Sequence, residues 1–146
     1  MIAIASVQHT GTRFLRILLK PQTPTGAHFG QKFLYRLNGH KTITPLRELD
    51  KIIHSWSRRD MDLKHLHFSI GQMIDFKPDF YFPIDHEDRD EYLIELSEII
   101  GRDLETDWSP QGNQDRNGTN NPSNPEYADI IREDYGMFFD QIYGRD

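Results

Sequence analysis

The sequence has no cysteine. Disulfides and thiolate zinc sites are therefore excluded, and the composition is compatible with a reducing compartment. No apolar run approaches the ~18 residues of a membrane span. No charged, apolar and small-residue signal opens the chain either, so the expectation is a soluble, cytoplasmic protein with no membrane partner. Positive charge is in short supply, with 17 Lys and Arg against 23 Asp and Glu and a net charge of −6. Nonspecific binding of nucleic acid or of long polyanions is disfavoured on that ground. No spacing of His, Asp and Glu resembles a metal motif, so no metal is expected. Neither G-x-x-x-x-G-K-[ST] nor G-x-G-x-x-G occurs, which argues against a standard ATP or dinucleotide loop. Internal repeats are absent.

What the chain does have is concentrated at its front. An apolar, strand-like run (Ile2 to Val7) stops at Thr10-Gly11-Thr12, and an amphipathic helical run (Arg13 to Lys20) follows at once. Strand, small-residue turn and helix form a cradle for an anion: Gly11 admits close backbone approach, N–H groups converge, and Thr10 and Thr12 add hydroxyl donors. A turn glycine alone is as often only a turn, so a second signal matters. It comes from Lys41-Thr-Ile-Thr-Pro-Leu-Arg-Glu-Leu-Asp-Lys-Ile-Ile-His-Ser-Trp56. A short strand over 42–46 ends at Arg47, and Leu49, Ile52, Ile53 and Trp56 give the next segment, 48–58, a helical period. Arg47 stands where α/β sheets bind ligands, and Ser55 lies two helical turns on. A guanidinium and a hydroxyl so placed suit a phosphate. Ten of the 17 basic residues fall within the first 59 positions, which fits a front half that handles anions.

The remainder reads as alternating elements. Residues 28–37 are ambiguous between strand and helix, and Asn38-Gly39 is a turn. Residues 62–74 form a helix with Leu63, Leu66, Ile70, Met73 and Ile74 on one face. Asp79 to Ile84 form a buried strand. Asp85 is expected to cap a helix running to Ile100, with Gly101 as its C-cap. Residues 109–125 form a flexible loop, either a plain connector or a lid over substrate. A closing helix carries Tyr127, Ile130, Ile131, Tyr135, Phe138, Phe139 and Ile142 in one stripe, better suited to core packing than to a cofactor. The 146 residues fit a single domain, 1–146, of α/β class with a mainly parallel sheet flanked by helices.

Gln8-His-Thr-Gly-Thr-Arg-Phe-Leu15 resembles the 5′-phosphosulfate loop of sulfotransferases that use 3′-phosphoadenosine 5′-phosphosulfate (PAPS), commonly Pro-Lys-[Ser/Thr/Gly]-Gly-Thr-[Thr/Arg]. The Thr-Arg version is similar to that of the heparan sulfate branch. Leu46-Arg-Glu-Leu-Asp-Lys-Ile-Ile-His-Ser-Trp56 resembles the 3′-phosphate element of the same family, an Arg at a strand end and a Ser in the next helix. The two motifs appear in the family's order and cover the first 56 residues. The resemblance implies a reduced, P-loop-like three-layer fold and the transfer of a sulfuryl group from PAPS to a hydroxyl or amine of a small-molecule or saccharide acceptor, releasing 3′,5′-ADP. It implies that His9, Thr10, Gly11, Thr12, Arg13, Arg47 and Ser55 bind the nucleotide.

The chain departs from the pattern in three places. His9 replaces the loop Lys, so either His9 is protonated or another cation helps, Arg13 being the nearest. Leu49 replaces a Pro, and Arg116-Asn-Gly118 only faintly echoes the later Arg-Lys-Gly loop. The resemblance places the base shortly before the 3′-phosphate strand, where His28 lies, and imidazole chemistry suits the task. His40 is the second candidate, and a plain surface-loop role for His28 is the competing reading. A nucleotide kinase on a similar framework is an alternative, weakened by the missing Lys and by the lack of a clear magnesium-binding Asp at a strand end. A non-catalytic nucleotide-binding protein derived from a sulfotransferase is another, favoured by His9 and by the short chain.

Overall fold

The computed structural model describes residues 2–20, 25–31, 37–108 and 124–144. Within them the chain runs β1 (Ile2–Ser6), α1 (Thr12–Leu18), β2 (Thr25–His28), β3 (Lys41–Leu46), α2 (Leu49–Arg58), α3 (Leu63–Phe76), β4 (Phe80–Pro83), α4 (Arg89–Ile100) and α5 (Pro125–Ile142). The strands form one sheet in the order β2-β1-β3-β4, and every pairing is parallel. The expected α/β class with a parallel sheet is the class observed.

Strand alternation sorts side chains to two faces. Ala3, Ala5 and Val7 of the first strand segment share a core with Ile52, Ile53 and Trp56 of α2, Leu66 and Ile70 of α3, and Ile131 and Phe139 of α5. Ile4, Ile43 and Phe82 point the other way and meet Leu15 and Leu18 of α1 and Leu96 of α4. The sheet is therefore buried on both sides, as parallel sheets are. The closing helix uses its stripe as core, with Ile131 and Phe139 buried and Tyr127, Tyr135, Phe138 and Ile142 packed against them, while Ile130 is 39% exposed. Among the described residues no helix is long and apolar enough to cross a membrane.

Two expectations are corrected. Asp85 does not cap α4, which starts four residues later with Asp88 as its N-cap. Its carboxylate instead accepts from the Glu48 N–H (2.9 Å) at the start of α2, because the parallel sheet brings the ends of β3 and β4 side by side. Pro125 is not loop but the first residue of α5, capped by the Asn124 side chain, which accepts from the Tyr127 N–H (3.2 Å). Residues 109–123, and with them the lid reading and Arg116-Asn-Gly118, lie outside the described residues.

The topology fixes where a ligand would go. The chain leaves β1 for β2 on one side and leaves β3 for β4 on the other, while β1 and β3 are neighbours. Their carboxyl ends therefore border the crevice that such sheets use for ligands. The loop after Ser6 and Arg47, the residue after Leu46, follow those two ends.

Candidate anion site

The loop from Val7 to Gly11 is tightly bent. His9 (φ 64°) and Gly11 (φ 106°) both have left-handed backbones, two within three positions. For Gly11 this geometry has a second cause. A Cβ there would lie 2.5 Å from Ile84 Cδ1, just past the end of β4. Only glycine fits both the angle and the space. Thr10 is fully buried, and its Oγ1 donates to the Val7 carbonyl (2.6 Å). The hydroxyl expected to meet a ligand thus braces the loop instead. Thr12 Oγ1 donates to Ser6 Oγ (2.9 Å).

The loop is tied to α2. Trp56 Nε1 donates to the Gln8 carbonyl (2.8 Å), and the His9 ring meets the Trp56 ring edge-on, 6.5 Å between centroids. Trp56 is 1% exposed. The same helix ends in Arg58 and Arg59, and Arg59 Nη1 donates to Ser55 Oγ (2.5 Å). Ser55 is buried, and the residue expected to work with Arg47 is held by Arg59.

Electrostatics single out His9. Burial, then Arg59, His28, Arg47 and Arg58, push its pKa down to about 4. The charges of four cationic or potentially cationic groups from three elements thus act on one imidazole. Arg47 Nε is buried and has no hydrogen-bond partner among the described residues. A buried donor left in that state costs about 1–3 kcal/mol, and an anion in the crevice would satisfy it. Helix α1 has only seven residues, so its dipole is a minor contributor beside these side-chain charges.

His28 ends β2, and its Nδ1 lies 3.1 Å from Ser6 Oγ. Thr12, Ser6 and His28 therefore form a hydrogen-bonded row across the ends of β1 and β2. Burial lowers the pKa of His28, its interaction with the Ser6 backbone opposes that, and the charge of Arg16 adds to the lowering. The ring is neutral near pH 7, as a base must be. His40 faces the Asn38 carbonyl (3.2 Å). Arg13 is exposed on α1, and the cations acting on His9 come from elsewhere.

The structure thus couples His9 electrostatically with Arg47 and His28, joins Thr12 to His28 through Ser6 and pairs Ser55 with Arg59, so that Ser6, Arg58 and Arg59 join the residues singled out in the sequence. Arg58 and Arg59 had a legible signal, since they stand three and four positions after Ser55, at the end of the predicted helix and just past it. Ser6 had a weaker one, a lone hydroxyl closing an apolar strand. Beyond β3 the character changes. Asp85 accepts from Tyr143 Oη, pairs with Lys51 Nζ (3.3 Å) and receives the Glu48 N–H. A nearby cavity of about 260 Å³ between α2 and α5 is lined by the carboxylates of Glu48, Asp50 and Asp140 with Arg132 among them, a net negative lining that suits an anion poorly. Among the described residues no three His, Asp or Glu side chains gather as a metal site. Comparison with family models, with curated proteins and with solved structures gave no match.

Proposed function

We propose that the chain is a small PAPS-dependent sulfotransferase of P-loop-like, three-layer architecture. The observation that carries this reading is Arg47 Nε at the end of β3, buried and without a hydrogen-bond partner among the described residues. Arg47 is the residue that the sequence resemblance assigns to the 3′-phosphate, and its charge, with those of Arg59, His28 and Arg58, also acts on His9 of the 5′-phosphosulfate loop. In this reading the 7–12 loop and His9 hold the 5′-phosphosulfate end, while Arg47, Ser55 and Arg59 hold the 3′-phosphate. PAPS supplies an activated sulfuryl group. The protein's task is to neutralise the phosphates, position the acceptor and take its proton. His28 does the last, as a neutral imidazole beside the loop. The acceptor is a hydroxyl or amine of a small molecule or saccharide.

The engagement of Asp85 speaks against the kinase alternative. It is the carboxylate beyond the end of β4, and it is taken up by a backbone N–H, a lysine and a phenol. The test is equilibrium binding of 3′,5′-ADP and 5′-AMP, followed by transfer from labelled PAPS to a panel of alcohols, saccharides and amines. Tight, selective 3′,5′-ADP binding with transfer is the expected result. Selective binding without transfer to any acceptor favours the non-catalytic nucleotide-binding protein. Equal, weak binding of both nucleotides removes the PAPS reading.

A further inference from the structure

We propose that Gln72 is a positioning residue: from α3 it fixes the backbone just past β2 and so sets the ring of His28. The inference rests on the reading of His28 as the base and adds what holds that base in place. Strand β2 is only four residues long and stands at the edge of the sheet, paired with β1 alone among the described residues. His28 is its last residue. The end of a short edge strand is a place where a sheet opens locally. Two backbone donors just beyond His28 oppose this. The Phe29 N–H donates to the Ser6 carbonyl (2.8 Å). The Gly30 N–H donates to Gln72 Oε1 (2.6 Å), 42 positions along the chain.

One side of α3 is shaped for this contact. His65, Ser69 and Gln72 stand at i, i+4 and i+7, next to the stripe of Leu66, Ile70 and Met73 that enters the core. Gly30 lies directly against them. A Cβ there would crowd Ser69 Oγ and lie 2.8 Å from His65 Nε2, and the Gly30 backbone is left-handed (φ 86°). Only glycine brings the chain this close to the helix in that conformation. Phe29 is 1% exposed and meets Phe76 of the same helix edge-on, 5.5 Å between centroids. The two residues after His28 are therefore anchored to α3 in different ways. Apolar burial resists separation but tolerates a small slide along the helix. The hydrogen bond has direction and does not. What it sets is the 3.1 Å between His28 Nδ1 and Ser6 Oγ. Without that contact the ring is free to turn and to exchange its neutral tautomers.

Substitutions of Gln72 in the whole protein test this. Gln72→Met keeps the length and loses the acceptor, Gln72→Asn withdraws the amide by one methylene, and Gln72→Glu keeps an acceptor oxygen. Histidine-detected NMR reads the ring, and single-turnover transfer from labelled PAPS reads the chemistry. Above neutral pH the wild-type His28 should show one neutral tautomer, protonated on Nδ1. In Gln72→Met and Gln72→Asn its signals should average between tautomers. Transfer should fall on the order of 10–10²-fold, the scale for a misplaced reacting group, with 3′,5′-ADP affinity unchanged. Gln72→Glu should restore both the tautomer and the rate. Should Gln72→Met not fold, Gln72→Asn decides by the same readouts. A single His28 tautomer retained in the variants overturns the inference, whatever the rate, and leaves the reading of the site standing. Averaged signals that persist in Gln72→Glu also overturn it, because the bond is then not what holds the ring. Averaging in Gln72→Met and its repair in Gln72→Glu, in a protein that neither binds 3′,5′-ADP nor transfers from PAPS, uphold the role of Gln72 and remove the PAPS reading.

Discussion

Trp56 Nε1 donates to the Gln8 carbonyl across 2.8 Å, so the core of α2 holds the loop that follows β1. One side chain serves two ends: the ring is buried in the core, and its N–H fixes the loop backbone next to His9. Trp56→Phe keeps most of the apolar area and loses the bond. Stability should fall by about 1–3 kcal/mol, the cost of a smaller ring and an unpaired carbonyl. Anion affinity should fall as well, because the loop then has to be ordered on binding. Denaturant unfolding and sulfate titration of the same variant check both halves. A stability loss with unchanged affinity would show that the loop holds its shape without α2.

Arg47 is the sharpest probe of the second phosphate. Its Nε is buried and unpartnered among the described residues, so removing the side chain breaks no bond shown for that atom. Arg47→Ala should weaken 3′,5′-ADP by roughly 2–4 kcal/mol, the scale for one charge-assisted partner in a desolvated site, with 5′-AMP much less affected. Calorimetric titration of both nucleotides measures the difference. Equal losses would remove the assignment of Arg47 to the 3′-phosphate.

The elements were largely legible because each has a local cause. An apolar run and a short strand ending at Arg47 announced the strands at 2–6 and 41–46, and 3.6-residue periods announced the helices at 49–58 and 63–76, within a residue or two. The Arg47 position and the Gly11 turn were legible for the same reason. What the sequence hid is what depends on distance along the chain. Asp85 looked like a helix cap for its own neighbours, but sheet order sent its carboxylate 37 positions back to Glu48. Thr10 looked like a ligand donor, but the bend of the loop aims its hydroxyl at Val7. Ser6 gained its partners, Thr12 and His28, only once the end of β2 was packed beside the loop.

Gly11 tests the loop itself. Alanine there meets both a left-handed backbone and Ile84. Gly11→Ala should cost about 1–3 kcal/mol, from backbone strain plus displacement of the isoleucine tip. Gly11→Ala combined with Ile84→Val should recover part of that cost, since the valine lacks the Cδ1 in the way. Thermal unfolding of the two variants decides. No recovery would mean that the dihedral angle, rather than the crowding, is the whole constraint.

His9 predicts how stability depends on pH in the absence of ligand. Its folded-state pKa, near 4, lies below the ordinary 6.5. Between those values the unfolded chain binds a proton that the folded one refuses, so acidification favours unfolding. Stability should be level above about pH 7 and decline as pH falls from there toward 4. Substituting Gln for His9 should flatten that part of the curve, though His28, lowered for similar reasons, keeps some of the slope. Urea midpoints at half-unit pH steps measure it. Identical curves for wild type and His9→Gln would place the titrating group elsewhere.

The row Thr12–Ser6–His28 makes the assignment of the base testable through a residue that is not itself the base. Ser6 Oγ accepts from Thr12 and lies 3.1 Å from His28 Nδ1. If His28 Nδ1–H donates to Ser6, the Nε2 lone pair is free to take an acceptor's proton. If the Ser6 hydroxyl donates instead, Nε2 carries the proton and cannot act. A base therefore needs the first arrangement. His28→Ala should leave 3′,5′-ADP affinity nearly unchanged and lower transfer on the order of 10²–10⁴-fold. The ascending limb of the pH–rate profile should vanish with it, because only the neutral ring accepts a proton. Ser6→Ala keeps the imidazole but frees its Nδ1, so the rate should fall less while the ascending limb remains with a displaced midpoint. Single-turnover transfer across pH for both variants distinguishes them from a structural effect, which would lower the rate without moving the limb. Wild-type rates in His28→Ala would dismiss it as the base and turn attention to His40.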